Sequence, residues 1–157
     1  MGLNLVRATL ALGLALLLAA CGGGGSSSSS APQGERINGR TVPPMPDATA
    51  NTASVAGVDV DGSGIRDDID RMIASEFGAD STLYAKAVVF AKTEQAALLN
   101  PDPAVVEAHL ASVGCVGDRA ALARLSNMTE AVVNTPARGR AYVKAFAGAT
   151  LSKRSCR

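Results

Sequence analysis

What most limits the fold of this 157-residue chain is how unevenly its apolar residues are spread. Residues 1–20 hold 15 of them, residues 21–54 only 8, and residues 55–157 the other 51. A core needs sustained, periodic apolar content, so residues 55–157 alone are expected to fold, as one small domain. Its apolar residues are mostly Ala and Val, which makes the core thin and a covalent staple useful. Residues 1–20 read as a secretory signal peptide: one cation, Arg7, an apolar run from Ala8 to Leu18, then small residues. As a helix that run would rise about 16 Å against a hydrocarbon core of about 30 Å, so cleavage and not spanning is its expected fate. Between the two, Gly22–Gly25, Ser26–Ser30, Pro32, Pro43, Pro44 and Pro46 make residues 21–54 a flexible, disordered tether.

Inside the domain, helical spacing recurs and strand alternation does not. Ile69, Met72, Ile73, Glu76 and Phe77 share one helix face, and Gly78 supplies a stop. A second helix runs from Ser81 to Leu99, ended by Asn100-Pro101. Asp102-Pro103, an N-cap followed by proline at the first helical position, opens a third that stops at Gly114. A fourth starts near Asp118 with Leu122, Leu125, Met128 and Val132 on one face, and Thr135-Pro136 opens a fifth that buries Tyr142, Val143 and Phe146. The expected fold is therefore all-α, a small bundle of about five short helices.

Leu18-Ala19-Ala20-Cys21 follows the apolar run directly and resembles the lipobox of bacterial lipoproteins. The resemblance implies that Cys21 becomes the first mature residue and carries the lipid, placing the protein in the bacterial cell envelope, attached to the membrane by acyl chains. Gly22 after the cysteine resembles outer-membrane more than inner-membrane sorting. With Cys21 acylated, Cys115 and Cys156 remain in an oxidising compartment, and a disulfide between them would close a loop of about 40 residues and contribute roughly 4 kcal/mol. They lack the C-x-x-C spacing of a redox or zinc pair.

The segment Asp59-Val60-Asp61-Gly62-Ser63-Gly64-Ile65-Arg66-Asp67-Asp68-Ile69-Asp70 resembles the 12-residue calcium loop of the EF-hand, dockerin and thrombospondin type 3 families. Carried across position by position, the resemblance assigns Ca²⁺ ligation to Asp59, Asp61, Ser63, the carbonyl of Ile65, Asp67 (directly or through water) and Asp70, with Gly64 at the sharp turn. A hard divalent cation takes about six to eight oxygens, and only a tightly wrapped loop converges so many from one segment. This loop departs from the pattern at three places. Asp70 stands where the EF-hand has a longer Glu, Ser63 replaces a carboxylate, and Arg66 occupies a position usually apolar. No second loop is present, and no entering helix is expected before it. An acidic turn in which Asp67 and Asp68 cap the following helix is the competing explanation.

Charge and composition exclude more than they assign. Fifteen basic against fourteen acidic residues, three per cent aromatics and no Trp argue against a nucleic-acid binder. One histidine, His109, expected at the surface or its boundary, and no cofactor fingerprint leave no recognisable catalytic set, so the chain is not expected to be an enzyme. Residues 118–157 hold eight bases and two acids, among them Arg138, Arg140, Lys144, Lys153, Arg154 and Arg157. This basic end is either an ordinary solvated face or a surface for an anionic or protein partner. The function expected is that of a membrane-anchored, calcium-binding lipoprotein acting as a binding or structural module. An enzyme, or an enzyme inhibitor, of unrecognised class is the alternative.

Overall fold

Five aspartates and threonines open the helices of this protein, and their side chains explain where each begins. The computed structural model describes residues 34–149. Asp80 accepts from the amides of Thr82 and Leu83 to start α3 (Ser81–Leu99), Asp102 caps α4 (Pro103–Gly114), Asp118 caps α5 (Arg119–Val132) and Thr135 caps α6 (Pro136–Phe146). Asp47 does the same for a short helix, α1 (Ala48–Thr52). Only α2 (Asp67–Phe77) begins without a side-chain cap, at Arg66. The all-α expectation holds, and the five longer helices fall on the segments that apolar spacing or start and stop residues announce. Among the described residues no helix is long and apolar enough to cross a membrane.

α3 lies at the centre, packed on α2, α4, α5 and α6. Ile69, Ile73 and Phe77 of α2, Phe90, Ala91 and Leu98 of α3, and Leu125, Met128 and Val132 of α5 form one core with Ile65 and Val116. Two expected faces need correction. On α5, Ala121 is buried while Leu122 is partly exposed, and on α6 Val143 is exposed while Arg138 is fully buried. Tyr142 and Phe146 pack against the core as expected.

The flexible tether expected through residue 54 is corrected for its second half. Arg36–Ile37 (β1) and Arg40–Thr41 (β2) pair antiparallel around Asn38-Gly39, whose φ angles of 48° and 80° suit a tight hairpin turn. The hairpin is stitched to α2: the Asn38 amide donates to the carbonyls of Ala74 and Ser75, and Arg71 reaches Pro43 O and Glu35. Val42 is buried, and so is Asn51 on α1. These polar tethers, more than apolar content, order a segment whose composition reads as linker.

Candidate metal centre

The loop from Asp59 to Asp70 is wound around its own carboxylates. Asp59 accepts from the amides of Ser63 (3.0 Å) and Gly64 (2.9 Å), and Asp61 accepts from Ser63 N (3.0 Å). The Ser63 hydroxyl lies at the hub. It is 3.0 Å from Asp70 Oδ2 and 3.3 Å from the carbonyl of Ile65, and accepts from Ile65 N. Gly62 and Gly64 take φ of 69° and 85°, the left-handed region that side chains resist, and so make the reversal possible. The Ile65 side chain is 2% exposed in the core while its carbonyl turns back toward the loop, which ties loop to bundle.

The structure brings Asp59, Asp61 and Asp67 together, each with an oxygen within 4.8 Å of the others, a group able to hold a metal ion. Asp70 stands outside that group and joins it through Ser63, in keeping with an arm one methylene shorter than glutamate. Asp67 is fully buried. Its Oδ1 accepts from Val60 N at 3.0 Å, but its Oδ2 meets no hydrogen-bond donor. A buried carboxylate oxygen without a partner is costly. Burial pushes the Asp67 carboxyl above the usual carboxylate range, and the negative charges of Asp61, Asp59 and Asp68 add to this. Asp70 is pushed up to about 6, by burial first and then by Asp61, Asp59 and Asp67, against the Ser63 hydrogen bond. A divalent cation among these oxygens would relieve both effects.

The acidic-cap explanation fits less well. Asp67 reaches back to Val60 instead of capping α2, and Asp68 is held by Arg66 at 2.8 Å. Arg66 itself is a residue whose role sequence reasoning missed. It is fully buried and also donates to the carbonyls of Ala131 and Val132 at the end of α5, so it bolts the exit of the loop to the bundle. The loop stands alone among the described residues, and an arginine at an expected apolar position was the available signal that it docks on a helix end.

A second buried arginine supports the entry side. Arg138 donates to the carbonyls of Asn51, Ser54 and Val55 and to Asn134 Oδ1, which removes it from the expected basic surface. Gly57 lies where the two arginines and Asn51 converge. A Cβ there would stand 2.5 Å from Arg66 Cδ and 2.7 Å from Arg138 Nη2. The expectation of no entering helix needs amendment too, since α1 precedes the loop, separated from it by residues 53–58.

Arg140 and Lys144 are exposed as expected, whereas Lys153, Arg154 and Arg157 lie outside the described residues. So do Cys21 and Cys156. Cys115 caps the C-terminal end of α4. His109 is buried, against expectation, between the rings of Phe90 and Phe146, with Thr93 Oγ1 3.2 Å from its Nδ1. Comparison with family models, curated proteins and solved structures returned no match for this chain.

Proposed function

We propose that this chain is an exported lipoprotein of the bacterial cell envelope, anchored through acylated Cys21, whose helical domain binds one Ca²⁺ and serves as a binding or structural module. The observation that carries the metal reading is the buried, unpartnered Asp67 Oδ2 in a carboxylate that faces those of Asp59 and Asp61. The ligand set is Asp59, Asp61, Ser63, the Ile65 carbonyl, Asp67 and Asp70. All of its donors are oxygens, the chemistry of a hard cation, and a flexible loop favours Ca²⁺ over Mg²⁺, which demands octahedral geometry and keeps its waters. With a serine among the ligands and a short arm at Asp70, affinity in the micromolar to millimolar range is expected, adequate for extracellular calcium. The ion would fix the approach to α2, and through Arg66 the seat of the loop on α5.

Chelation tests this reading. At a calcium concentration one hundred times Kd the ion stabilises by about 2.7 kcal/mol, and each kcal/mol moves the melting temperature of a domain this size by about 4–8 °C. Melting the protein in calcium and in EGTA should show that drop. Identical curves at millimolar calcium would leave the loop without a structural ion.

Mass spectrometry of protein purified from membranes without reductant tests the envelope assignment. It should give Cys21 as the acylated N-terminus and a peptide joining Cys115 to Cys156. An N-terminus elsewhere, or absence of acyl mass, refutes the anchor, and two free thiols refute the disulfide.

A further inference from the structure

The calcium reading leaves unassigned what the ion meets on its outer side. Four of the loop's ligand positions, Asp61, Ser63, Ile65 and Asp70, line a cleft of about 390 Å³, a size typical of small-molecule sites. Its opposite wall is formed by Val42 and Pro43 at the hairpin exit and by Tyr84, Val88 and Lys92 of α3. The Tyr84 ring is held under the Arg40 guanidinium, 4.2 Å from the ring centroid, so that wall is braced. Calcium takes about six to eight oxygens, and Asp70 is too short to replace the two-oxygen grip of a glutamate. With six loop oxygens in place, up to two coordination positions are left for oxygens that enter from the cleft.

Charge selects which oxygens fit. Four aspartates (Asp59, Asp61, Asp67 and Asp70) outweigh the two charges of the ion and the single charge of Lys92, whose side chain crosses the loop at Gly64. A carboxylate or phosphate would add to that negative excess. A hydroxyl group does not, because its oxygen can coordinate the metal while its O–H donates to an aspartate lone pair. Two adjacent hydroxyls can fill neighbouring coordination positions at once. The aliphatic wall of Pro43 and Val88, backed by buried Val42, suits the C–H face of a pyranose, and Lys92 supplies a donor for its other oxygens. We propose that the domain binds a neutral saccharide in this cleft, with a vicinal diol coordinating the calcium ion. This rests on the calcium reading and extends it to a ligand class.

The test uses the mature full-length protein in a sugar-free zwitterionic detergent. Amide chemical shifts are followed while methyl α-mannoside and methyl β-galactoside are titrated to tens of millimolar, in calcium and then in EGTA. At least one glycoside should bind with millimolar affinity and shift Val42, Ser63, Val88 and Lys92, should lose binding at least tenfold on chelation, and should fail to bind once its hydroxyls are methylated. Exposed Lys92→Ala should weaken glycoside binding roughly tenfold, the loss of a hydrogen bond to a charged donor, while calcium binding, freed of a neighbouring cation, is not weakened. Calcium binding without glycoside shifts in the cleft overturns the saccharide assignment and leaves the cation site standing. So does preferential binding of acetate or inorganic phosphate. Absence of calcium binding overturns the cation reading itself, and this proposal with it.

Discussion

Replacing Arg66 with methionine is expected to destabilise the domain by about 2–4 kcal/mol, from two helix-end carbonyls left without a donor and a half-buried carboxylate without its cation. The guanidinium is wholly buried, with Nε and Nη2 on Asp68 at 2.9 and 2.8 Å and further bonds to the carbonyls of Val132 and Ala131. Methionine keeps much of the stem's volume, so the loss isolates the charge and its donors. What remains is a carboxylate without its partner and two orphaned carbonyls at a helix end. Burial pushes the Asp68 carboxyl up, and the hydrogen bonds and charge of Arg66, helped by hydrogen bonds from Asn51 and the Ile69 amide, more than reverse this, leaving it below its ordinary 3.8. A depressed folded-state value means stability that is present above the unfolded value and lost as pH falls through the folded one. The penalty of Arg66→Met should therefore be full at neutral pH and shrink in acid below the ordinary carboxylate range, where Asp68 is neutral in either protein. Denaturant unfolding at both pH values measures it, and a loss under about 1 kcal/mol at neutral pH would contradict a structural role for this pair.

Glu94 and His109 should oppose each other in the pH dependence of stability. Glu94 is fully buried on α3; its Oε1 accepts from Thr129 at 2.9 Å, its Oε2 has no donor, and burial raises its carboxyl from 4.5 to about 7, against the pull of the Thr129 hydrogen bond and the charge of Arg66. Tyr142 of α6 also faces it, and the phenol is raised by burial and then by the Glu94 charge. A raised folded-state value means stability complete below 4.5 and lost as pH climbs through about 7. Burial lowers His109 from 6.5 to about 4, against a backbone hydrogen bond to Phe90, so its contribution is complete above 6.5 and lost as pH falls toward 4. Each displacement is worth on the order of 3 kcal/mol. The slopes nearly cancel in the natural protein between about pH 4.5 and 6.5. Glu94→Gln removes one of them, so stability in saturating calcium should then rise by on the order of 3 kcal/mol across that window and exceed the parent's above pH 7. Unfolding midpoints in urea measured across pH would reveal it. Parallel profiles for variant and parent would show that Glu94 does not titrate as its burial requires.

Helix boundaries were the most legible part of this fold because they rest on local chemistry. Asp102-Pro103, Thr135-Pro136 and Asn100-Pro101 restrict the backbone whatever packs around them. The hairpin was missed although Asn38-Gly39 is a strong turn signal, because two-residue strands carry no alternation to read. Its order comes from contacts distant in sequence, such as Asn38 with Ala74. The same reason hid Arg138 and Glu94. A charged residue reads as surface until three-dimensional packing gives it carbonyls or a hydroxyl to meet. For the metal loop the alternation of Asp59, Asp61 and Asp67 was legible, and the structure groups those three. The burial of Asp67 was not, since it depends on the docking of the loop, which Arg66 secures.

Titration calorimetry of calcium into the calcium-free mature protein tests the central claim most directly, with Asp67→Asn as its control. That variant keeps the size of the side chain but removes the charge behind the unpartnered oxygen. The account predicts a single binding event with Kd between micromolar and millimolar, weakened by at least tenfold in Asp67→Asn, and little competition from magnesium. No heat and no change in the amide signals of residues 59–70 at millimolar calcium would contradict it.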